Sequence, residues 1–505
     1  MKIFREIQIW LLIIGLITIA SGCSEVDPPA VMDNIPPTQT SPAATKIILE
    51  YTRDLPTQTS EPTQPPAPGK LERPHYSLTA FLDYSNHLLI VDEDILIPHP
   101  AQKKLENITL VIPPNNWPDA FSIHAISARE HVIGGYEVSG VRLFIELSEP
   151  AWQPGQTLDL HISYTLDLPE LGKGPVLGPS PFGYSSRQTN LVDWYPMIPP
   201  YQADLGWVVH DPWKFGEYLV FPAADFDVSL ELSASGLTTA ASSVPLNEGN
   251  PTLYSLDAAR NFVLSISPDY RVLTEDLNGT RVYGYSFPGY QDPGQAVFLA
   301  TLEALQLYSE LFGPYDQSGF SMVQGDFNYG MEYEGLYFQG TGYYDSYNGT
   351  EQSYLVTIAV HETAHQWWYG KVANDQALEP WLDEAFCTFS ELAYYEQLYP
   401  GSVDWWWRTR VNYYDPYGRI DRSIYDFQEY GDQYLNYRNA TYLQGAKFMA
   451  ALKSELGDEQ FYAFLRDYAA RNQAKIATSK DFFSLLGEYL DLGSLSWLGE
   501  YFELD

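Results

Sequence analysis

The stretch His361-Glu362-Thr363-Ala364-His365 sets two imidazoles four positions apart. At helical spacing both project from one face and can reach one ion. Neutral imidazole suits Zn²⁺, and a catalytic zinc site takes three protein ligands while leaving a position for water. Glu384 follows His365 after 18 intervening residues, in Trp381-Leu382-Asp383-Glu384-Ala385. That distance accommodates the end of one helix, a loop and a return helix carrying a carboxylate back to the same ion. His361, His365 and Glu384 are therefore the expected ligands of one Zn²⁺. Glu362 stands beside the ion and not on it, placed to take a proton from a water whose pKa the ion lowers to about 7. The chemistry implied is metal-assisted hydrolysis; the plainer alternative for the pentapeptide is two surface histidines on a helix.

These side chains need helices to hold them. One is expected over about 351–370, and its return from Pro380 to about Leu398. Upstream, Asp292-Pro293 reads as an N-cap followed by proline at the first helical position. Val297, Leu299, Leu302, Leu305, Tyr308 and Phe312 supply that helix with an apolar face, and Gly313-Pro314 stops it. Further helices are expected at about 440–456, 459–471 and 480–490, so the second half reads as mostly helical. From Tyr76 to Ser267 the period is two: Leu158, Leu160, Ile162, Tyr164 and Leu166 point one way, as do Val141, Leu143, Ile145 and Leu147. Several such strands predict a β-rich sandwich or saddle. Pro175 to Pro200 reads as a long ordered loop, and Asn278-Gly279 as a hairpin turn.

Composition narrows the function classes. The chain has 505 residues, 45% apolar, and a formal charge of −37. Residues 1–70 carry 5 basic and 7 acidic residues, so the acidity belongs to the part downstream. Phosphates would be repelled, which excludes nucleic acid as a partner. Two cysteines exclude a disulfide framework, and Cys387, in an expected helix, reads as a buried thiol. Lys2 and Arg5 precede an apolar run from Ile7 to Ala20, too short for a membrane span and ending in Ala20-Ser21-Gly22-Cys23. This resembles the lipobox of bacterial lipoproteins, which implies removal of 1–22 and acylation of Cys23. Residues 24–70 hold 10 prolines and 7 threonines and read as a flexible stalk.

With Trp381-Leu382-x-Glu384 after the paired histidines, the sequence resembles the gluzincin aminopeptidases of peptidase family M1. Gly330-Met331-Glu332-Tyr333 resembles that family's Gly-x-Met-Glu-Asn exopeptidase motif, and Tyr442-Leu443-Gln444-Gly445-Ala446 its Tyr-x-Lys-Gly-Ala segment. The resemblance implies a multidomain fold, a β saddle domain followed by a mainly helical, thermolysin-like (α+β) zinc peptidase domain. The expected division is 1–22 signal, 23–70 stalk, 71–269 β domain and 270–505 catalytic domain, without the large C-terminal helical domain of many members. It implies that Glu332, with Gly330 and Met331, binds the free α-amine of a peptide, and that Tyr442 holds the oxyanion. Gly445 would allow close helix approach. By residue type alone Glu332 reads equally as a strand-edge carboxylate facing solvent, Tyr442 as a packed aromatic, and Glu334 as a competing amine ligand. Tyr195-Pro196-Met197 is the nearest match to the family's Phe-Pro-Cys segment, which puts Arg187 where many members carry a second amine-binding carboxylate.

The expected function is removal of N-terminal residues from peptides outside the cell by a membrane-anchored zinc aminopeptidase. The alternatives are a zinc endopeptidase with the same chemistry and a non-catalytic surface binding protein.

Overall fold

The alternating stretches form strands because one face of each is apolar and buried. In this computed structural model, which describes residues 72–172, 180–427 and 432–503, Leu158, Leu160, Ile162, Tyr164 and Leu166 are fully buried along one face of a strand over Thr157–Asp167. That strand lies in a six-stranded sheet in the order Thr252–Ala259, Ala224–Leu232, His75–Asp83, Leu88–Pro98, Thr157–Asp167, Phe121–Ala128. Neighbours run antiparallel except His75–Asp83 beside Ala224–Leu232. Val141, Leu143, Ile145 and Leu147 join the same core from a three-stranded sheet. The expected loop over 175–200 contains two short strands, Gly183–Tyr184 and Thr189–Leu191, while 173–179 and the signal, stalk and Cys23 readings lie outside the described residues.

The helix-rich part opens with a hairpin. Leu277 pairs with Thr280 across Asn278 and Gly279, both at positive φ (52° and 94°), the geometry such a tight turn requires. The two hairpin strands, Arg271–Leu277 and Thr280–Ser286, continue into a mixed sheet through Gly319–Gly325 and Leu336–Gly340 to an edge strand, Gly330–Tyr333. The expectation of a mostly helical second half overlooked these last strands. All seven residues of Gly319–Gly325 are buried, so the stretch shows no alternation. A strand covered on both faces reads as a plain apolar run.

Two helix boundaries also differ. The first long helix runs Gln291–Phe312 from Tyr290, with its first bond from Gly294 N–H to the Tyr290 carbonyl. Asp292 and Pro293 thus fall inside its first turn, where proline's missing N–H has no partner to lose. The helix expected over 351–370 is α-helical only over Tyr354–Ala364, with the Ser353 side chain accepting from Val356 N–H at its start. A wide turn over Gln366–Lys371 follows, with Trp368 and Tyr369 out of helical geometry. Two buried indoles pull the chain aside: Trp367 Nε1 donates to the Gly313 carbonyl at 2.8 Å and Trp368 Nε1 to Ser390 Oγ at 3.2 Å. The return helix is Trp381–Leu398, and Gly445–Leu456, Asp458–Arg471 and Ser479–Tyr489 complete the layer around it.

Candidate metal centre and active site

His361 sits in the last turn of the Tyr354–Ala364 helix, and His365 is the next residue past its end, still in helical backbone. The return helix places Glu384 in its own first turn. Glu384 Oε2 lies 3.2 Å from His361 Nε2 and 3.9 Å from His365 Nε2. One donor atom from each of the three residues lies within 4.8 Å of the others.

The opposite ring nitrogens are already engaged. His361 Nδ1 is 2.8 Å from Glu391 Oε1, and His365 Nδ1 is 2.7 Å from Asp383 Oδ1. A carboxylate on Nδ1 selects the tautomer whose Nε2 lone pair faces the centre. Glu391 is anchored in turn by Arg410 and by Trp406 Nε1 at 2.9 Å. Burial pushes the Glu391 and Glu384 carboxyls up, but Arg410 and His361 around the first, and the histidines around the second, hold both below the usual carboxylate range. Two imidazoles and one ionised carboxylate, each oriented from behind, fit a single zinc ion.

Glu362 is buried beside this centre, and its Oε2 has no hydrogen-bond partner among the described residues. Burial pushes its pKa up to about 8, against the pull of His361 and His365. A buried carboxyl without a fixed partner is a group poised to exchange protons.

Glu332 lies on the edge strand as one reading of its residue type had it, yet it is only 6% exposed and faces inward. Gln376 Nε2 donates to Glu332 Oε1 at 3.2 Å and to Asp383 Oδ2 at 2.6 Å, tying it to the carboxylate behind His365. Burial pushes the Glu332 carboxyl well above its usual range. Glu334 turns elsewhere: its Oε2 accepts from Arg260 N–H at 3.4 Å, beside the buried Arg260 guanidinium. Arg187 does not reach the amine side of the site; it pairs with Asp326 and stacks on Phe287.

Residues 299–500 match the model of the peptidase family M1 domain. That segment is similar to the domain that defines peptidase family M1. It is similar to aminopeptidase M1-B of Oryza sativa subsp. japonica (27% identical over 224 residues, 42% of this chain and 26% of that protein). Aminopeptidase N of Streptomyces lividans is 27% identical over 226 residues, 40% of this chain and 26% of that protein. The matched stretch is thus about a quarter of the length of these relatives. The fold is that of an M1 zinc metallopeptidase from Deinococcus radiodurans (TM-score 0.59, 17% identity, covering 83% of this chain and 92% of that one). A mutant of that metallopeptidase bound to a Tyr-Ser-Ala substrate superposes with TM-score 0.57 at 18% identity, over 85% and 94% of the two chains.

Within the matched segment the stretch expected to be a helix over 440–456 is divided. A wide turn over Asn439–Gln444 separates the short Gln433–Arg438 helix from Gly445–Leu456, and Tyr442 sits on that turn. Wide turns of this kind re-aim a side chain that a regular helix would point elsewhere. The Tyr442 hydroxyl donates to Glu384 Oε1 at 2.5 Å, and its ring lies parallel to His361 at 6.0 Å between centroids. Gly445 meets the return helix: a Cβ there would stand 2.4 Å from Ala385 Cβ.

Two acidic residues that sequence reasoning missed, Asp193 and Glu217, line one cavity with Met331 and Glu332. Both precede the matched M1 segment. Burial pushes the Glu217 carboxyl well above its usual range, and the charges of Glu384, Asp383 and Glu362 push the same way. The available signal for Glu217 was Gly216, held at φ 71°; no metal-ligand spacing marks either acid.

Proposed function

We propose that the protein is a zinc-dependent aminopeptidase of the cell surface. The observation that carries this reading is Glu332, a buried carboxylate sharing its glutamine donor with the residue behind His365. A carboxylate at a fixed offset from the metal centre selects an ammonium, so only the first peptide bond is presented for attack. Glu217 lines the same cavity and supplies the second carboxylate that Arg187 does not. The names of the relatives, aminopeptidases and a zinc metallopeptidase, support the same reading.

His361, His365 and Glu384 would hold the zinc ion. When bound, zinc polarises the peptide carbonyl and makes water acidic enough to deprotonate near neutral pH. Glu362 accepts the proton of the attacking water at its unpartnered Oε2 and hands it to the leaving amine. The Tyr442 hydroxyl swings from Glu384 Oε1 to the developing oxyanion, stabilising the transition state more than the substrate. Glu391 and Asp383 keep the imidazoles oriented throughout.

The test is a cleavage map on matched peptides with free and N-acetylated amines, read by mass spectrometry, with Glu362→Gln as control. Stepwise loss from free N-termini alone is expected. Internal cuts in both sets would establish an endopeptidase instead, and absence of any cut with zinc bound would leave a binding protein. The surface location rests on Cys23: fatty-acid labelling lost in Cys23→Ala is expected, and labelling retained would overturn it.

A further inference from the structure

The cavity beside Glu332 holds further carboxylates, Glu217 and Asp193. Its walls include Trp117, Tyr218, Phe221, Met331, Tyr333 and Tyr369, and Asp193 reaches its lining from the β-rich part. No lysine, arginine or histidine is among the described residues that line it. The nearby amide donors are committed elsewhere. Asn261 Nδ2 donates to the Tyr369 hydroxyl at 2.5 Å, Asn116 Nδ2 to the Tyr218 hydroxyl at 3.0 Å, and Gln376 Nε2 to Glu332 and Asp383. Among the described residues the Asp193 carboxylate has neither a hydrogen-bond nor an ion-pair partner.

Asp193 is partly exposed, and a guest that fills this aromatic cavity strips water from its carboxylate, a desolvation cost that a cationic or hydrogen-bonding guest offsets and an apolar one does not. Asp193 and Glu332 both line the cavity. The phenols of Tyr333 and Tyr369 feel both charges, whereas the Asp193 carboxyl is perturbed by burial alone and by no other acid. The free volume is about 60 Å³, room for about four to six water-sized atoms. That suits the four-carbon stem of a lysine or the three-carbon stem of an arginine, with aromatic faces along the way to favour the charge.

We propose that Asp193 is the specificity residue of this cavity and that the protein prefers peptides whose N-terminal side chain is a long cation, lysine or arginine. This rests on the aminopeptidase reading, in which Glu332 takes the α-ammonium. Asp193 then takes the side-chain cation. Acidic N-terminal residues are rejected by like charge, and an apolar chain of the same length leaves the carboxylate buried and unpaired.

The test compares N-terminal lysine with norleucine, which keeps a straight chain and lacks the charge, on the full-length protein in detergent with zinc. We expect kcat/KM for lysine to exceed that for norleucine roughly ten- to hundredfold, and Asp193→Asn to collapse that ratio. A wild-type ratio near one, or a ratio that survives the substitution, would overturn the assignment. Calorimetry of free L-lysine against L-norleucine on the wild-type protein decides independently of turnover and of whether the variant folds. Lysine preference there, with no peptide cut, would sink the aminopeptidase reading and keep Asp193 as a cation site; equal binding would sink the Asp193 assignment whatever the activity.

Discussion

The backbone of Gly330 lies against the carboxylate of Glu362: a Cβ at position 330 would stand 2.1 Å from Oε1 and 2.9 Å from Ile358 Cγ2. Any side chain there displaces the proposed base. Gly330→Ala is expected to lower kcat by about a hundredfold, the scale of a 1 Å misplacement of a catalytic group. Zinc content, measured by plasma mass spectrometry, should stay at one ion. Full activity in the alanine variant would show that Glu362 needs no fixed position.

Tyr442 touches Glu384, a proposed metal ligand, without being one itself. Tyr442→Phe removes only the hydroxyl that donates to Glu384 Oε1. A loss of about a hundred- to a thousandfold in kcat is expected, with KM little changed, because the bond counts in the transition state. A rise in KM at constant kcat would mark Tyr442 instead as a substrate-binding residue.

Asp383 acts through His365. Asp383→Asn keeps the shape but no longer supplies a charged acceptor to Nδ1, and it disturbs the bond from Gln376. Zinc affinity by chelator competition is expected to fall about ten- to a hundredfold. Unchanged affinity would mean that the histidine is held by packing alone.

Gly445 and Ala385 set the spacing between two helices. A Cβ at 445 would overlap Ala385 Cβ at 2.4 Å, so Gly445→Ala should cost about 1–3 kcal/mol of stability by overpacking. Denaturant unfolding measures it. A gain, as alanine gives in an open helix, would show that the helices separate freely.

Selectivity for cationic N-termini should depend on pH. Burial pushes the Asp193 carboxyl up to about 7. The titratable groups facing it are the phenols of Tyr195, Tyr218, Tyr333 and Tyr369, all shifted upward and so uncharged near neutrality. A cation binds the ionised carboxylate, so selectivity is full above pH 7 and is lost as the pH falls through it. The lysine-to-norleucine ratio of kcat/KM should drop by about tenfold per unit on the acid side. Taking the ratio cancels titrations common to both substrates. A flat ratio would remove Asp193 from recognition.

The histidine pair was legible in sequence because helical periodicity fixes which neighbours share a face, Glu384 because its distance from His365 fits a return helix, and the Tyr442–Ala446 segment only through its resemblance to the family's motif. The alternation of Leu158 to Leu166 was legible for the same reason: its other face meets a different environment. Strand Gly319–Gly325 was not legible, since burial on both sides erases the pattern. Nor were the wide turns at 366–371 and 439–444, which depend on where the indoles of Trp367 and Trp368 and the neighbouring helices pack. Glu332 and Glu334 differ by two positions and have the same chemistry; only the fold turns one toward Gln376 and the other toward Arg260. Asp193 and Glu217 lie more than a hundred residues from Glu332 in the chain. Local sequence chemistry pointed to the proposed metal ligands and base, while the acids contributed by the β-rich part were decided by long-range packing that brings it against the segment matched to the M1 model.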